Sequence, residues 1–378
     1  MAEQIILRPD NGYEQLTEYL DGIGAKKIMT VLDGSVKYLE IYPFLKNLKI
    51  DTVSFTDFKP NPDYESVKKG VELFKSEGCD CVIAVGGGSC MDVAKCIKLF
   101  AVTDESENPI EQPLMASEIP FIAMPTTAGS GSEATRYAVI YLNGEKQSIT
   151  QESCIPNAVI LDPSVLTTLP DYQKKSGMLD ALCHGIESLW SVNSTDESKG
   201  YSRKAIRLVI ENYKSYLSGD EAVAGKMLEA ANTAGKAINI TQTTAGHAMC
   251  YKLTTLYGIA HGHAAALCVE KLLDFTAKNI DKCIDGRGQK HLEKTLVEIA
   301  EAMGCKTIEQ AAERFAELLK ELELTAPTVK NTSDFDLLKK SVNPIRLKNN
   351  PIALTEAEID SIYHEILTAF WGSTPNPA

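Results

Sequence analysis

The stretch Cys81–Lys95, CVIAVGGGSCMDVAK, decides how the rest of the chain is read. Cys81–Val85 is an apolar run of strand length, and Gly86-Gly87-Gly88-Ser89 follows without a spacer. Met91, Val93, Ala94, Ile97 and Leu99 then recur at the spacing of a helix packed on a sheet. Strand, glycine turn and helix together present free backbone N–H groups and the positive end of a helix dipole to an anion. Glycines allow close backbone approach and positive φ. A triple glycine alone is equally the mark of a plain tight βα turn. Gly86, Gly87, Gly88, Ser89 and Asp92 become candidate dinucleotide contacts only with a second site downstream.

Outward from this turn, the first half of the chain alternates strands and helices. Lys27–Leu32 reads as a strand ending at Asp33-Gly34, with a helix through about Lys46. Asp51–Phe55 is a strand, Pro60-Asn61-Pro62 punctuates the route to a helix over Tyr64–Ser76, and Phe121–Met124 is a further strand. Asn143-Gly144 between Arg136–Leu142 and Gln147–Gln151 is a two-residue hairpin signal, and Val159–Leu161 is one more short strand. This is the doubly wound α/β pattern, whose ligands sit at the carboxyl ends of the strands. After about residue 166 the texture becomes helical: Gly177–Leu189, Lys199–Leu217, Glu221–Ile240, His263–Ala277, Leu292–Met303 and Ile308–Glu321. The expectation is a Rossmann-like α/β dinucleotide-binding domain over residues 1–165 and an all-α metal-binding domain over 166–378, with the tail Ser373–Ala378 frayed.

Composition narrows the function. With 378 residues the chain can build two cores, and its net charge of −13 disfavours nucleic acid or an anionic membrane as partner. No apolar run approaches the roughly 20 residues of a membrane span, and MAEQIILRPD lacks a signal-peptide pattern, so a cytoplasmic enzyme is expected. Ten cysteines without a C-x-x-C pair read as reduced, buried small apolar residues; Cys90 and Cys183 are the two whose setting suggests reactivity.

There are six histidines. Asp180 and His184 stand at i, i+4 and project from one helix face. His247 and His261 follow, the latter opening His261-Gly262-His263 before another helix. Taken singly, each is as well explained by an ordinary hydrogen bond. Together, one carboxylate and three imidazoles can hold a divalent first-row ion and leave a position for an alcohol or carbonyl oxygen. His291 and His364 lie in charged runs and read as solvated.

Four strings, in this order, resemble the iron-dependent (group III) alcohol dehydrogenases over nearly the whole chain: GGGSCMDVAK (86–95), PTTAGSGSE (125–133), DALCHGIE (180–187) and GHAMCYKLTTLYGIAHG (246–262). The resemblance implies a Rossmann-like domain followed by a helical one, with the active site in a cleft. It implies Asp180, His184, His247 and His261 as ligands of Fe(II), or of Zn(II) or another divalent ion. It also implies contacts to NAD(H), with NADP(H) as the alternative, from Asp33, Asn61, Gly87, Gly88, Ser89, Asp92, Thr126, Thr127, Ser130 and Lys146. Relatives of this kind usually form homodimers or larger homo-oligomers and act on a small aldehyde or alcohol.

The chain departs from the family pattern at Tyr251, where many relatives carry a histidine, and at His261-Gly262-His263-Ala264-Ala265. Tyr251 and His263 are therefore the candidate catalytic residues. The segments Thr135-Arg136-Tyr137 and NPIRLKNNP (343–351) resemble the phosphonoacetaldehyde reductase-like branch. In an acidic protein a phosphonate needs local positive charge, which points to Arg136, Lys252, His263 and Arg346. The other readings are a general short-chain alcohol or diol dehydrogenase, a lyase of the dehydroquinate synthase type, and a binding protein that has lost catalysis.

Overall fold

The computed structural model describes residues 4–9, 12–103, 110 and 112–367; the tail Ser373–Ala378 lies outside the described residues. Residues up to Leu169 together with Gly219–Gly235 form one compact unit. Pro170–Ser218 and the chain from Lys236 onward form a second.

The first unit is built on a six-stranded parallel sheet. Its strands are β1 (Ile5–Leu7), β2 (Lys27–Leu32), β3 (Asp51–Phe55), β4 (Cys81–Gly86), β5 (Phe121–Pro125) and, after an intervening hairpin, β8 (Ala158–Ile160). The spatial order is β1-β8-β5-β4-β2-β3. Burial follows sequence: β4 (CVIAVG) and β5 (FIAMP) are buried at every residue and lie inside the sheet. β3 (DTVSF) exposes Asp51, Thr52 and Ser54, as its edge position permits. The helix Gly88–Phe100 packs against the helix Tyr64–Ser76, where Gly70 leaves room for Ile97; a Cβ at Gly70 would stand 2.4 Å from the Ile97 Cδ1. Asp63 caps the Tyr64 helix by accepting from the Ser66 N–H at 2.7 Å.

The hairpin pairs β6 (Tyr137–Leu142) with β7 (Glu145–Thr150). Asn143 and Gly144 both take positive φ, 52° and 80°, as the tight turn requires. Strand Ile5–Leu7 and helix Glu14–Ile23 escaped the sequence reading. The strand has only three residues and exists because β8 pairs with it.

The second unit is helical. The helix Asp171–Trp190 is buried at every residue from Met178 to Trp190, so it has no solvent stripe over that length. It starts six residues before the expected Gly177, because its first turns (DYQKKS) carry no apolar repeat for periodicity to detect. It packs against the helices Asp196–Leu217 and His261–Lys278. A Thr195–Ser198 capping box starts the former. The helices Asp334–Lys340 and Glu356–Leu367 were also missed by periodicity. Helix Glu221–Thr241 begins in the first unit, where Gly235 lies against Gly131 and Asn232 donates to Glu133 at 3.3 Å. Among the described residues no helix is long and apolar enough to cross a membrane.

Candidate functional site

In the first unit the glycine turn ends β4 and starts the helix Gly88–Phe100, with Gly87 in the N-cap position. Gly86 is obligatory: a Cβ there would lie 2.5 Å from the Cys90 Cβ and 2.7 Å from the Asp33 Oδ2. Asp33, at the end of β2, accepts from the Gly87 N–H at 3.2 Å and from the Ser35 N–H at 2.8 Å. Thr127 and Ser130 face Gly87 and Gly88, and the Thr126 N–H binds the Gly86 carbonyl at 3.1 Å. Asn61, held at φ 57°, donates its N–H to the Ser89 Oγ at 3.3 Å. The fold thus gathers Asp33, Asn61, Gly86–Ser89, Thr126, Thr127 and Ser130 at the carboxyl ends of β2, β4 and β5.

Asp92, one turn into the helix Gly88–Phe100, interacts with the charge of Lys146. Burial raises the Asp92 carboxyl to about 6, against the opposing charges of Lys95 and Lys146. Lys95, absent from the expected site, is a fully buried ammonium. It donates to the Ser132 carbonyl (2.7 Å), the Tyr137 carbonyl (2.7 Å) and the Ser132 and Thr135 hydroxyls, anchoring the segment after Ser130. Its place one turn after Asp92 in GGGSCMDVAK was the available signal.

In the second unit the helix Asp171–Trp190 carries Asp180, His184 and Glu187 into the buried interior. Donor atoms of Asp180, His247 and His261 all lie within 4.8 Å of one another. The His247 Nε2 is 3.3 Å from the Asp180 Oδ1. His184 stacks on His247 with centroids 4.4 Å apart, and its Nε2 is 3.9 Å from the same oxygen. The His184 Nδ1 is buried without a hydrogen-bond partner. The nitrogen that His184 turns toward Asp180 is Nε2, so His184 stands beside the three-residue donor group rather than within its 4.8 Å limit. The gathered donors, one carboxylate and two imidazoles with the His184 imidazole stacked alongside, suit iron or zinc chemistry.

Charge in this cluster is uneven. Burial alone would raise the Asp180 carboxyl, but the charges of the three histidines and the His247 hydrogen bond hold it well below its usual range. Burial lowers His184 to about 4. Burial would lower His247 as well, yet the Glu187 charge and the bonds to Asp180 and Glu187 raise it to about 9. Glu187 is the residue that sequence reasoning missed. It lies in the quoted DALCHGIE, three residues after His184, and it hydrogen-bonds the His247 Nδ1.

Tyr251 stacks on His261, with centroids 5.4 Å apart and planes at 22°. Burial raises its hydroxyl far above the phenol range, and the positive charge of Arg346 partly opposes this. Arg346 donates to the Gln242 Oε1 at 2.9 Å, and Gln242 itself is held at φ 61°. Lys252 is half-buried, one position beyond Tyr251. His263 stands outside the donor cluster: its Nδ1 is 3.1 Å from the Tyr172 hydroxyl, which also accepts from the Ala260 N–H. No sequence signal links Tyr172 to residue 263. Arg136, in the first unit, forms an ion pair with Glu152 and contacts the Tyr137 hydroxyl.

Two family models account for almost all of this. Iron-containing alcohol dehydrogenase matches residues 3–163, and the C-terminal region of the Fe-containing alcohol dehydrogenase family matches residues 174–367. The chain belongs to the iron-containing alcohol dehydrogenase family.

This family member is 31% identical to the phosphonoacetaldehyde reductase of Streptomyces viridochromogenes over 83% of its own length and 82% of that protein. It is 29% identical to aldehyde-alcohol dehydrogenase 2 of Entamoeba histolytica over 74% of its length, spanning 34% of that longer protein. Its fold matches that of sulfoacetaldehyde reductase from Bifidobacterium kashiwanohense, solved with NAD+, at a TM-score of 0.86. The sequence identity there is 25%, with 97% of each chain covered.

Proposed function

We propose that this dehydrogenase reduces phosphonoacetaldehyde to 2-hydroxyethylphosphonate with NADH. One observation carries the reading beyond the general activity of the family. The Arg346 charge acts on Tyr251, which stacks on the candidate ligand His261. An arginine charge is thus felt at the side chain that stacks on a candidate metal ligand, within one compact unit of an acidic protein. Two relatives whose named substrates are two-carbon aldehydes with an anionic head support the same choice.

In this reading Asp180, His184, His247 and His261 would hold the metal, and the Gly87–Ser89 turn would hold the dinucleotide pyrophosphate. When bound, the metal supplies carbonyl polarisation and the nicotinamide supplies hydride. Backbone N–H groups at the Gly88 helix start bind the pyrophosphate anion, and Asp33 and Asn61 brace the turn. Arg346 holds the phosphonate by a two-pronged hydrogen bond, and Lys252 adds a second positive charge. The Tyr251 hydroxyl, kept neutral by burial, donates a hydrogen bond toward the substrate rather than carrying charge. Arg136 is the weaker anchor, because Glu152 already pairs its guanidinium.

The test compares Michaelis constants for phosphonoacetaldehyde, sulfoacetaldehyde and propionaldehyde. Arg346→Ala should raise the first at least tenfold and leave the last within about twofold, since losing a charge-assisted pair costs on the order of 1.5–3 kcal/mol. Equal effects on charged and neutral aldehydes would return the enzyme to a general short-chain alcohol dehydrogenase. A wild-type preference for sulfoacetaldehyde would move the substrate to a sulfonate.

A further inference from the structure

We propose that Glu187 is the positioning residue of the metal centre, fixing His247 so that Nε2 is the nitrogen offered to the ion. The proposal rests on reading Asp180, His184, His247 and His261 as the ligand set.

Glu187 is fully buried and stands seven residues after Asp180 on the helix Asp171–Trp190, so the two carboxylates share a helix face. Its Oε2 hydrogen-bonds the His247 Nδ1. Its Oε1 accepts from the Thr244 N–H at 3.0 Å, the Thr244 hydroxyl at 2.7 Å and the His247 N–H at 3.2 Å. Thr244 is the N-cap residue of the helix Ala245–Tyr257 but makes no capping bond of its own. Glu187 supplies that cap from a different helix, taking the N–H groups of the cap position and of His247 three residues on. Trp190 completes the arrangement by donating its indole N–H to the Thr244 Oγ1 at 2.9 Å.

Gly246 makes the approach feasible. A Cβ at that position would stand 3.1 Å from the Glu187 Cδ and Oε1, and 2.4 Å from the Val269 Cγ2. The carboxylate is therefore built into the helix start on which His247 sits. With Oε1 taken up by the helix start, Oε2 is left to accept from the Nδ1–H of His247, so Nε2, on the side of Asp180, is the nitrogen that gives up its proton when an ion binds. Nothing in helix capping alone requires the second oxygen to reach the imidazole.

Glu187→Gln tests the idea, because the amide can keep the backbone bonds through its oxygen while turning an NH2 toward Nδ1. That favours the opposite tautomer and removes the lone pair from Nε2. The readouts are metal affinity by chelator competition with Zn(II) and the visible absorption spectrum of the Co(II)-loaded protein. The expected result is a 10- to 100-fold loss of affinity and an altered Co(II) spectrum. A purely structural cap would lower the melting temperature and leave both readouts at wild-type values, which overturns the proposal. Should the variant not fold, proton NMR of the Zn(II)-loaded wild type decides. A downfield imidazole N–H resonance that vanishes in His247→Gln supports Nδ1–H, and its absence overturns it. Failure of the wild type to bind either metal would instead remove the ligand set itself.

Discussion

Gly262 lies directly against the helix that carries Asp180: a Cβ on it would come within 2.0 Å of the Ser176 carbonyl oxygen and 2.7 Å of the Asp180 Cβ. The glycine between His261 and His263 is thus what lets the start of the helix His261–Lys278 close on the helix Asp171–Trp190. Because the obstacle is backbone, no rotamer change relieves it. Gly262→Ala should abolish most metal binding and turnover and lower the melting temperature. Metal content at the wild-type level in purified Gly262→Ala would show that the two helices need not approach so closely.

His261 and His263 are two residues apart but differently placed, the first in the donor cluster and the second bonded to Tyr172. His261→Ala should remove most bound metal and nearly all activity. His263→Ala should leave metal content near the wild-type value. Elemental analysis of both variants distinguishes them, and metal loss following His263 rather than His261 would show the ligand assignment to be wrong.

Asp33 holds the turn through the Gly87 N–H, and its carboxylate would repel a 2′-phosphate near the end of β2. Asp33→Gly should shift the ratio of catalytic efficiencies toward NADPH by tenfold or more. A wild type that already prefers NADPH tenfold sinks this expectation.

Asp92 predicts a pH effect on the metal-free, cofactor-free protein. Its folded pKa, about 6, lies above the ordinary 3.8. The folded state therefore holds the proton more tightly, and the group's contribution is fully present below about pH 4 and is lost as pH rises through 6. Two units correspond to roughly 3 kcal/mol as an upper bound. Asp92→Asn removes this dependence, so its stability relative to wild type should improve between pH 4 and pH 7. Parallel melting curves for the two proteins across that range would contradict the assignment.

Lys95 is a buried cation whose four acceptors belong to the segment 132–137. Lys95→Met leaves two carbonyls and the Asp92 charge without it, at a cost of about 3 kcal/mol or more. A melting temperature lower by roughly 5 °C or more is expected, together with weaker NADH binding. An unchanged melting temperature would mean that the segment is held by other bonds.

The chain's local chemistry determined a good deal alone. An apolar run entering Gly86-Gly87-Gly88 can only be a buried strand feeding a helix start, and Asp180 and His184 share a face by helix period alone. Asn143-Gly144 specified its hairpin because the turn needs two positive φ angles. Such signals are short-ranged, and periodicity reports them wherever one face is apolar. It fails where a segment is polar at its start, as at Asp171, or held by one partner strand, as at Ile5–Leu7. Tertiary structure decided the rest. His247 meets Asp180 across 67 residues and Glu187 across 60, and Arg346 meets Gln242 across 104. Those distances are set by which helices pack together and how closely Gly246 and Gly262 allow them to approach. A one-dimensional pattern carries no record of that packing, so the ligand pair on one helix was legible and the carboxylate behind His247 was not.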